Sequence, residues 1–196
     1  LAHTFACAQR LFDLLDEEPQ VTEVEGMATV EMNELAFDQV TFTYPNGKTP
    51  IFNEASVSIK KGDKLALIGP SGIGKSTFIK LLMRYFDVEK GCVEIDGTNI
   101  SEIPTASLRT KQTLVSQETY LFNDTIANNI KIGKADATLE EVIEAAKKAS
   151  IHEFIETLPN GYETKVGELG GMVSSGEKQR LGLARAFLHD GDDLIL

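Results

Sequence analysis

Apolar positions recur at helical spacing through residues 1–16, LAHTFACAQRLFDLLD, where Leu1, Phe5, Ala8, Leu11, Phe12 and Leu15 share one side. The acidic DEEPQ, with Pro19, then ends the run, so an amphipathic lead-in helix is expected there. From Gln20 to Met32 the chain is polar and weakly patterned, as a linker would be. The period changes in LAFDQVTFTY, residues 35–44, where Phe37, Val40, Phe42 and Tyr44 are the larger members of an alternating stretch. PNGK and a second alternating run, ASVSIK, follow, which predicts a β-hairpin or two strands of an antiparallel sheet.

KLALIG, residues 64–69, is nearly continuous in apolar residues and leads straight into glycines, the pattern of a strand buried on both faces of an α/β sheet. Beyond it we expect a helix from about Lys75 to Tyr85, a strand GCVEID closed by a turn at Asp96 and Gly97, and a short strand TLVSQ ending at Gln117. Residues 125–158 read as helical throughout, and TLEEVIEAAKKA within them has a threonine cap, early glutamates and late lysines that suit the helix dipole. PNG at 159–161 breaks the helical pattern. A last helix is expected from about Ser174 to Leu188, followed by an apolar strand at Leu194, Ile195 and Leu196. There is no internal repeat and no low-complexity tract.

With 196 residues and 42% hydrophobic content the chain can bury a core of its own. Nineteen Lys and Arg against 30 Asp and Glu give a formal charge of -11, which argues against nucleic acid as a partner, because phosphate backbones call for a basic surface. Any phosphate site must therefore be local. Apolar runs are only a few residues long, far short of the roughly twenty a membrane span needs. Cys7 and Cys92 stand alone without a C-x-x-C and are expected to be reduced, partly buried thiols.

GPSGIGKST, residues 69–77, supplies that local site. It fits G-x-x-x-x-G-K-S/T and lies between an expected strand and an expected helix, where the motif works. Across Gly69, Pro70, Ser71, Gly72, Ile73 and Gly74 the glycines let backbone N–H groups converge on phosphate oxygens; Lys75 adds a positive charge and the helix N-terminus adds its dipole. Ser76 would hold Mg²⁺ through its hydroxyl, and either Ser76 or Thr77 would cap the helix if the turn served structure alone.

The stretch FDQVTFTYPNGKTPIFNEASVSIKKGDKLALIGPSGIGKSTFIKLL resembles the opening of an ATP-binding-cassette domain, the motor of ABC transporters, and the resemblance continues to the last residue. It implies an α/β fold: a P-loop NTPase core with a mostly parallel sheet, an antiparallel β subdomain and an α-helical subdomain. Residues 1–32 would be a helix and linker from an upstream permease, and residues 33–196 the cassette, divided into 33–116, 117–173 and 174–196. By the same resemblance Tyr44 stacks on the adenine of ATP, and Gln117 is the Q-loop glutamine that touches Mg²⁺ or its water. TYLFNDTIANNI, residues 119–130, is similar to the segment that faces the transmembrane coupling helices of exporters, and TKVGELG, residues 164–170, to the loop before the signature. VSSGEKQR, residues 173–180, stands where the L-S-G-G-Q signature belongs. Ser174 and Gly176 are thereby ATP contacts across a head-to-tail dimer of two cassettes, although Ser174 and Glu177 also read as a capping box that needs no ligand. Ser175 replaces the signature's first glycine, and its β-carbon disfavours a left-handed turn. His189 precedes the last strand and is read as a helix-end histidine rather than the family's switch histidine.

The resemblance places the aspartate–glutamate pair of the catalytic strand just after LIL, so the 196 residues read as a cassette cut short before that strand ends, with little hydrolysis of its own. The expected whole is the ATPase of an exporter at the cytoplasmic face of the cell membrane, with Lys75 and Gln117 serving catalysis. A degenerate cassette that binds ATP and gates a partner with little hydrolysis is the second reading, favoured by Ser175. A soluble cassette ATPase of DNA repair or translation fits poorly with TKVGELG and the N-terminal helix.

Overall fold

The computed structural model describes residues 2–17, 19–167, 173–189 and 194–195, with 2–7 and 194–195 described by backbone alone. Leu1, the side chains of Phe5 and Cys7, the end of TKVGELG, Asp192, Asp193 and Leu196 lie outside the described residues. The chain forms two compact units, Leu1–Thr105 and Ala106–Leu196. No described helix is long and apolar enough to cross a membrane.

The first unit has helix α1 (Ala2–Leu15), and among the described residues no regular element lies between it and β1. Strands β1 (Glu34–Phe42), β2 (Phe52–Lys60), β3 (Lys90–Ile95) and β4 (Thr98–Asn99) form one antiparallel sheet in the order β2-β1-β3-β4. The larger apolar residues of β1 are spaced two, three and two apart, which strict alternation cannot bury together. A register break beside Gln39, whose φ is 48°, absorbs the extra residue, so Leu35, Phe37, Val40 and Phe42 all face inward. Helix α2 (Lys75–Leu82) packs on that face, with the Phe78 and Phe37 ring centroids 4.5 Å apart. The turn at Asp96 and Gly97, both at positive φ, closes β3 onto β4 as expected from the sequence.

Residues 64–69 depart from expectation. They form no strand, and Leu65, Leu67 and Ile68 are 51%, 38% and 93% exposed. An apolar run becomes a buried strand only where neighbouring strands take its backbone groups, and among the described residues no ladder reaches this one. Helix α2 likewise stops at Leu82 rather than Tyr85, because Arg84 turns left-handed.

The second unit holds helices α3 (Thr105–Arg109, its first residue in the first unit), α4 (Ile126–Lys131), α5 (Leu139–Lys148), α6 (His152–Glu156) and α7 (Ser175–Leu188). Strands β5 (Gln112–Thr113) and β6 (Leu194–Ile195) pair in parallel. Its core is aliphatic and includes Ile126, Ile130, Val142, Ile151, Ile155 and Leu181, each fully buried. The expected continuous helix over 125–158 is three helices. α4 stops at Gly133, where a β-carbon would lie 2.2 Å from the Arg185 carbonyl oxygen, so only glycine lets α7 pass this close. α5 ends with Ser150 at φ 55° and the Ile151 N–H donating to the Ala146 carbonyl, a left-handed cap that serine fills in place of the commoner glycine. The expected strand TLVSQ contributes only Thr113 to the ladder, and Leu114 is 40% exposed.

Candidate functional site

The GPSGIGKST loop folds onto the start of α2. Gly74 is the residue before the helix, with φ 111° and no side chain capping it. A β-carbon on Gly74 would come within 2.8 Å of Ile51 Cγ2 and 3.3 Å of the Phe52 ring, so the hairpin behind the loop also requires glycine here. The first intrahelical bond runs from the Phe78 N–H to the Gly74 carbonyl at 2.8 Å. The amides of Lys75, Ser76 and Thr77 therefore open at the helix end, where the dipole favours an anion. Lys75 Nζ donates to the carbonyls of Gly69 and Pro70, each at 2.8 Å, and Ile73 N–H donates to Pro70 at 3.4 Å. Ser71, Ile73 and Ser76 are exposed, and the Ser76 hydroxyl is an oxygen donor suited to a hard cation such as Mg²⁺. A cradle of free amides with one cation at its mouth fits a polyphosphate.

Tyr44 belongs to the same unit. Its hydroxyl lies 3.1 Å from Thr77 Oγ1, and its ring meets Phe42 and Phe86 edge-on at 5.1 and 5.3 Å. Lys80 Nζ sits 5.6 Å from the ring centroid, over one face. The chain just ahead is fixed by the Thr43 N–H, which donates to the Glu89 carboxylate at 2.8 Å.

The remaining expected residues fall in the second unit. Gln117 is exposed, and its carbonyl accepts from Gln179 Nε2 of α7 at 3.2 Å. Ser116 and Glu118 beside it line a cleft of about 410 Å³ with Tyr120, Arg185 and His189. Ser174 caps α7: its hydroxyl accepts from the Glu177 N–H at 3.4 Å while the Glu177 carboxylate accepts from the Ser174 N–H at 2.6 Å, the reciprocal box expected from S-x-x-E. Ser175 is the first residue of that right-handed helix, so the left-handed strain anticipated for its β-carbon does not arise. Gly176 is on the same turn with room around it. His189 ends α7, and its Nδ1 is 3.0 Å from Thr113 Oγ1, a structural contact.

Arg84 was not singled out by pattern. It is buried at the end of α2 with φ 49°, and donates to the Ile103 carbonyl at 2.9 Å, to the linker carbonyl of Thr22 at 2.8 Å and to Asp87 at 3.2 Å. Nothing in spacing separates such an arginine from a solvated one. Lys80 and Gln179 were missed for the same reason. Cys92 is a free, half-buried thiol that donates to Glu94 Oε1 at 3.1 Å; this bond, then burial and the charges of Glu94 and Asp38, push it from 9.0 up to about 11. Among the described residues no cluster of His, Cys, Asp and Glu could hold a metal ion.

The profile of the ABC transporter family matches residues 52–196. A probable ABC transporter ATP-binding/permease protein of Haemophilus influenzae is 47% identical over the whole of this chain and 35% of its own length. A putative multidrug export ATP-binding/permease protein of Staphylococcus aureus is 45% identical over 95% of this chain and 32% of its own. Among solved structures, a bacterial Atm1-family ABC exporter with ATP bound superimposes with a TM-score of 0.87 at 38% identity, covering 97% of this chain and 33% of that one. The chain thus spans about a third of the length of the relatives it matches. With the family's profile matched over residues 52–196 and a relative 47% identical over the whole chain, the chain belongs to the ABC transporter family and has the P-loop NTPase fold of its cassette domain.

Proposed function

We propose that the chain is the ATP-binding motor of an exporter, binding MgATP and coupling its hydrolysis, within a head-to-tail pair of cassettes, to transport by a permease. The observation that carries this reading is the phosphate loop: an uncapped helix N-terminus, a glycine whose β-carbon the hairpin would reject, and Lys75 held across the mouth. In this reading the loop from Gly69 to Thr77 receives the phosphates on its free backbone N–H groups, those of Lys75, Ser76 and Thr77 among them, Lys75 bridges the outer ones and Tyr44 stacks on the adenine. Ser76 supplies a hydroxyl oxygen to Mg²⁺, which when bound neutralises charge on the phosphates. Gln117 serves as the Q-loop glutamine. Ser174 and Gly176, at the N-terminus of α7, face the γ-phosphate held by a second cassette.

Transport is supported by the names of the relatives, two of which are ATP-binding/permease proteins, and by the aromatic pair Tyr120 and Phe122. These two are 60% and 53% exposed, with ring centroids 5.0 Å apart in the segment similar to the one that faces coupling helices. A cassette docked in this way would lie at the cytoplasmic face of the membrane. Titration calorimetry with MgATP on the polypeptide encoded by the complete reading frame tests the reading. Micromolar to millimolar binding that Lys75→Ala weakens by about 10- to 100-fold is expected, and absence of MgATP uptake by the folded parent would refute it.

A further inference from the structure

An aromatic ring contributes to base binding only if it is already oriented, because ordering a free side chain on association offsets part of the gain. Tyr44 lies two residues past the end of β1 and is half-buried, and two side chains from one helix hold it. Its hydroxyl meets Thr77 Oγ1 at 3.1 Å, and Thr77 is itself 6% exposed, so the anchor is rigid. Three residues further on, and so on the same helical face, Lys80 places its ammonium 5.6 Å from the ring centroid. The rings of Phe42 and Phe86 pack against it at 5.1 and 5.3 Å, both near perpendicular. Both anchors stand on α2, whose first turn carries the phosphate loop.

We propose that Thr77 and Lys80 are positioning residues for the nucleobase: they fix the Tyr44 ring on the same rigid element that receives the phosphates. Lys80 lies five residues from Lys75, about 7.5 Å along the helix axis, which separates its action from the phosphate end. The inference rests on the nucleotide reading above.

Affinities for MgATP and for magnesium tripolyphosphate, measured on the polypeptide encoded by the complete reading frame, test it. Tyr44→Phe and Thr77→Val each remove the hydroxyl pair, and each should weaken MgATP by about threefold to tenfold, the net worth of one hydrogen bond. The double variant should lose no more than either single one. Lys80→Met, a change at an exposed position, should weaken MgATP by about twofold to fivefold. Tyr44→Phe and Lys80→Met should leave tripolyphosphate binding as in the parent. Additive losses in the double variant, unchanged MgATP binding in Tyr44→Phe and Lys80→Met, or an equal loss of both ligands in Lys80→Met would each overturn the proposal while leaving the nucleotide reading intact. A parent that binds neither ligand overturns both.

Discussion

The Lys75 ammonium lies 2.8 Å from the Gly69 carbonyl oxygen, and the same ammonium reaches the Pro70 carbonyl at 2.8 Å, so one side chain ties the two ends of the phosphate loop. Both carbonyls belong to exposed residues, and water can replace the lysine at little cost in stability. A phosphate gains far more from it, since hydrogen bonds between charged groups are worth about twice neutral ones. Lys75→Met should therefore leave the melting temperature nearly unchanged while weakening MgATP by about 10- to 100-fold, the worth of a charge-assisted bond. Calorimetry and a thermal melt on the same preparation check both halves.

Gly74→Ala should lose stability as well as affinity. The new β-carbon would approach Ile51 Cγ2 at 2.8 Å, and φ 111° is strained for any residue with a side chain. Relief requires either the hairpin or the helix start to move, at a cost of about 1 to 3 kcal/mol. A lowered denaturant midpoint together with reduced MgATP affinity is expected.

How far the sequence could be read follows from what each signal contains. The caps at Thr138 and Ser174, the Asp96–Gly97 turn and the phosphate loop are local: the residues that specify them are the residues that make the bonds. Residues 64–69 failed because burial of an apolar run depends on strands elsewhere, which periodicity does not encode. The break at Gly133 is decided by the carbonyl of Arg185, 52 positions away in sequence, and an isolated glycine cannot announce that contact. The roles expected for Gln117, Ser174 and Gly176 came from resemblance, and the structure adds only that Gln117 and α7 are tied through Gln179.

Arg84 couples the linker to the far end of the helix that carries the phosphate loop. Arg84→Met keeps the buried stem but strips the Thr22 and Ile103 carbonyls of their donor and leaves Asp87 without its partner. Ile103 is buried and Thr22 is exposed, so only the Ile103 carbonyl is left without water to replace the donor, and a loss of about 1 to 3 kcal/mol is expected. Hydrogen exchange should locate it, with faster exchange in residues 19–26 than in β1 or β3. Arg84→Gly relieves the backbone at φ 49° yet should still be less stable than the parent, because the same carbonyls lose their donor.

At the start of α7 two neighbouring serines should respond differently. Ser174→Ala removes the hydroxyl that accepts from Glu177 and should cost about 1 kcal/mol. Ser175→Gly relieves nothing, since Ser175 is already right-handed helical, and should cost a few tenths of a kcal/mol through helix propensity. A gain in stability for the glycine variant would show that the helix start is strained after all.

Cys92 carries a signature in pH. Its proton is held by the bond to Glu94, by burial and by the negative charges of Glu94 and Asp38, which move the thiol from 9.0 to about 11 in the folded chain. The folded state therefore binds this proton more tightly than the unfolded one. Stability owed to it is fully present below pH 9, and declines as pH rises through 9 towards 11. Glu94→Gln removes the anionic acceptor, so the decline over that window should flatten. The same change should speed alkylation of native Cys92 by iodoacetamide at pH 8, because the thiolate is the reacting form. Peptide-resolved mass spectrometry separates Cys92 from Cys7, and an alkylation rate in the parent equal to that of the unfolded chain would show that Glu94 does not hold the proton.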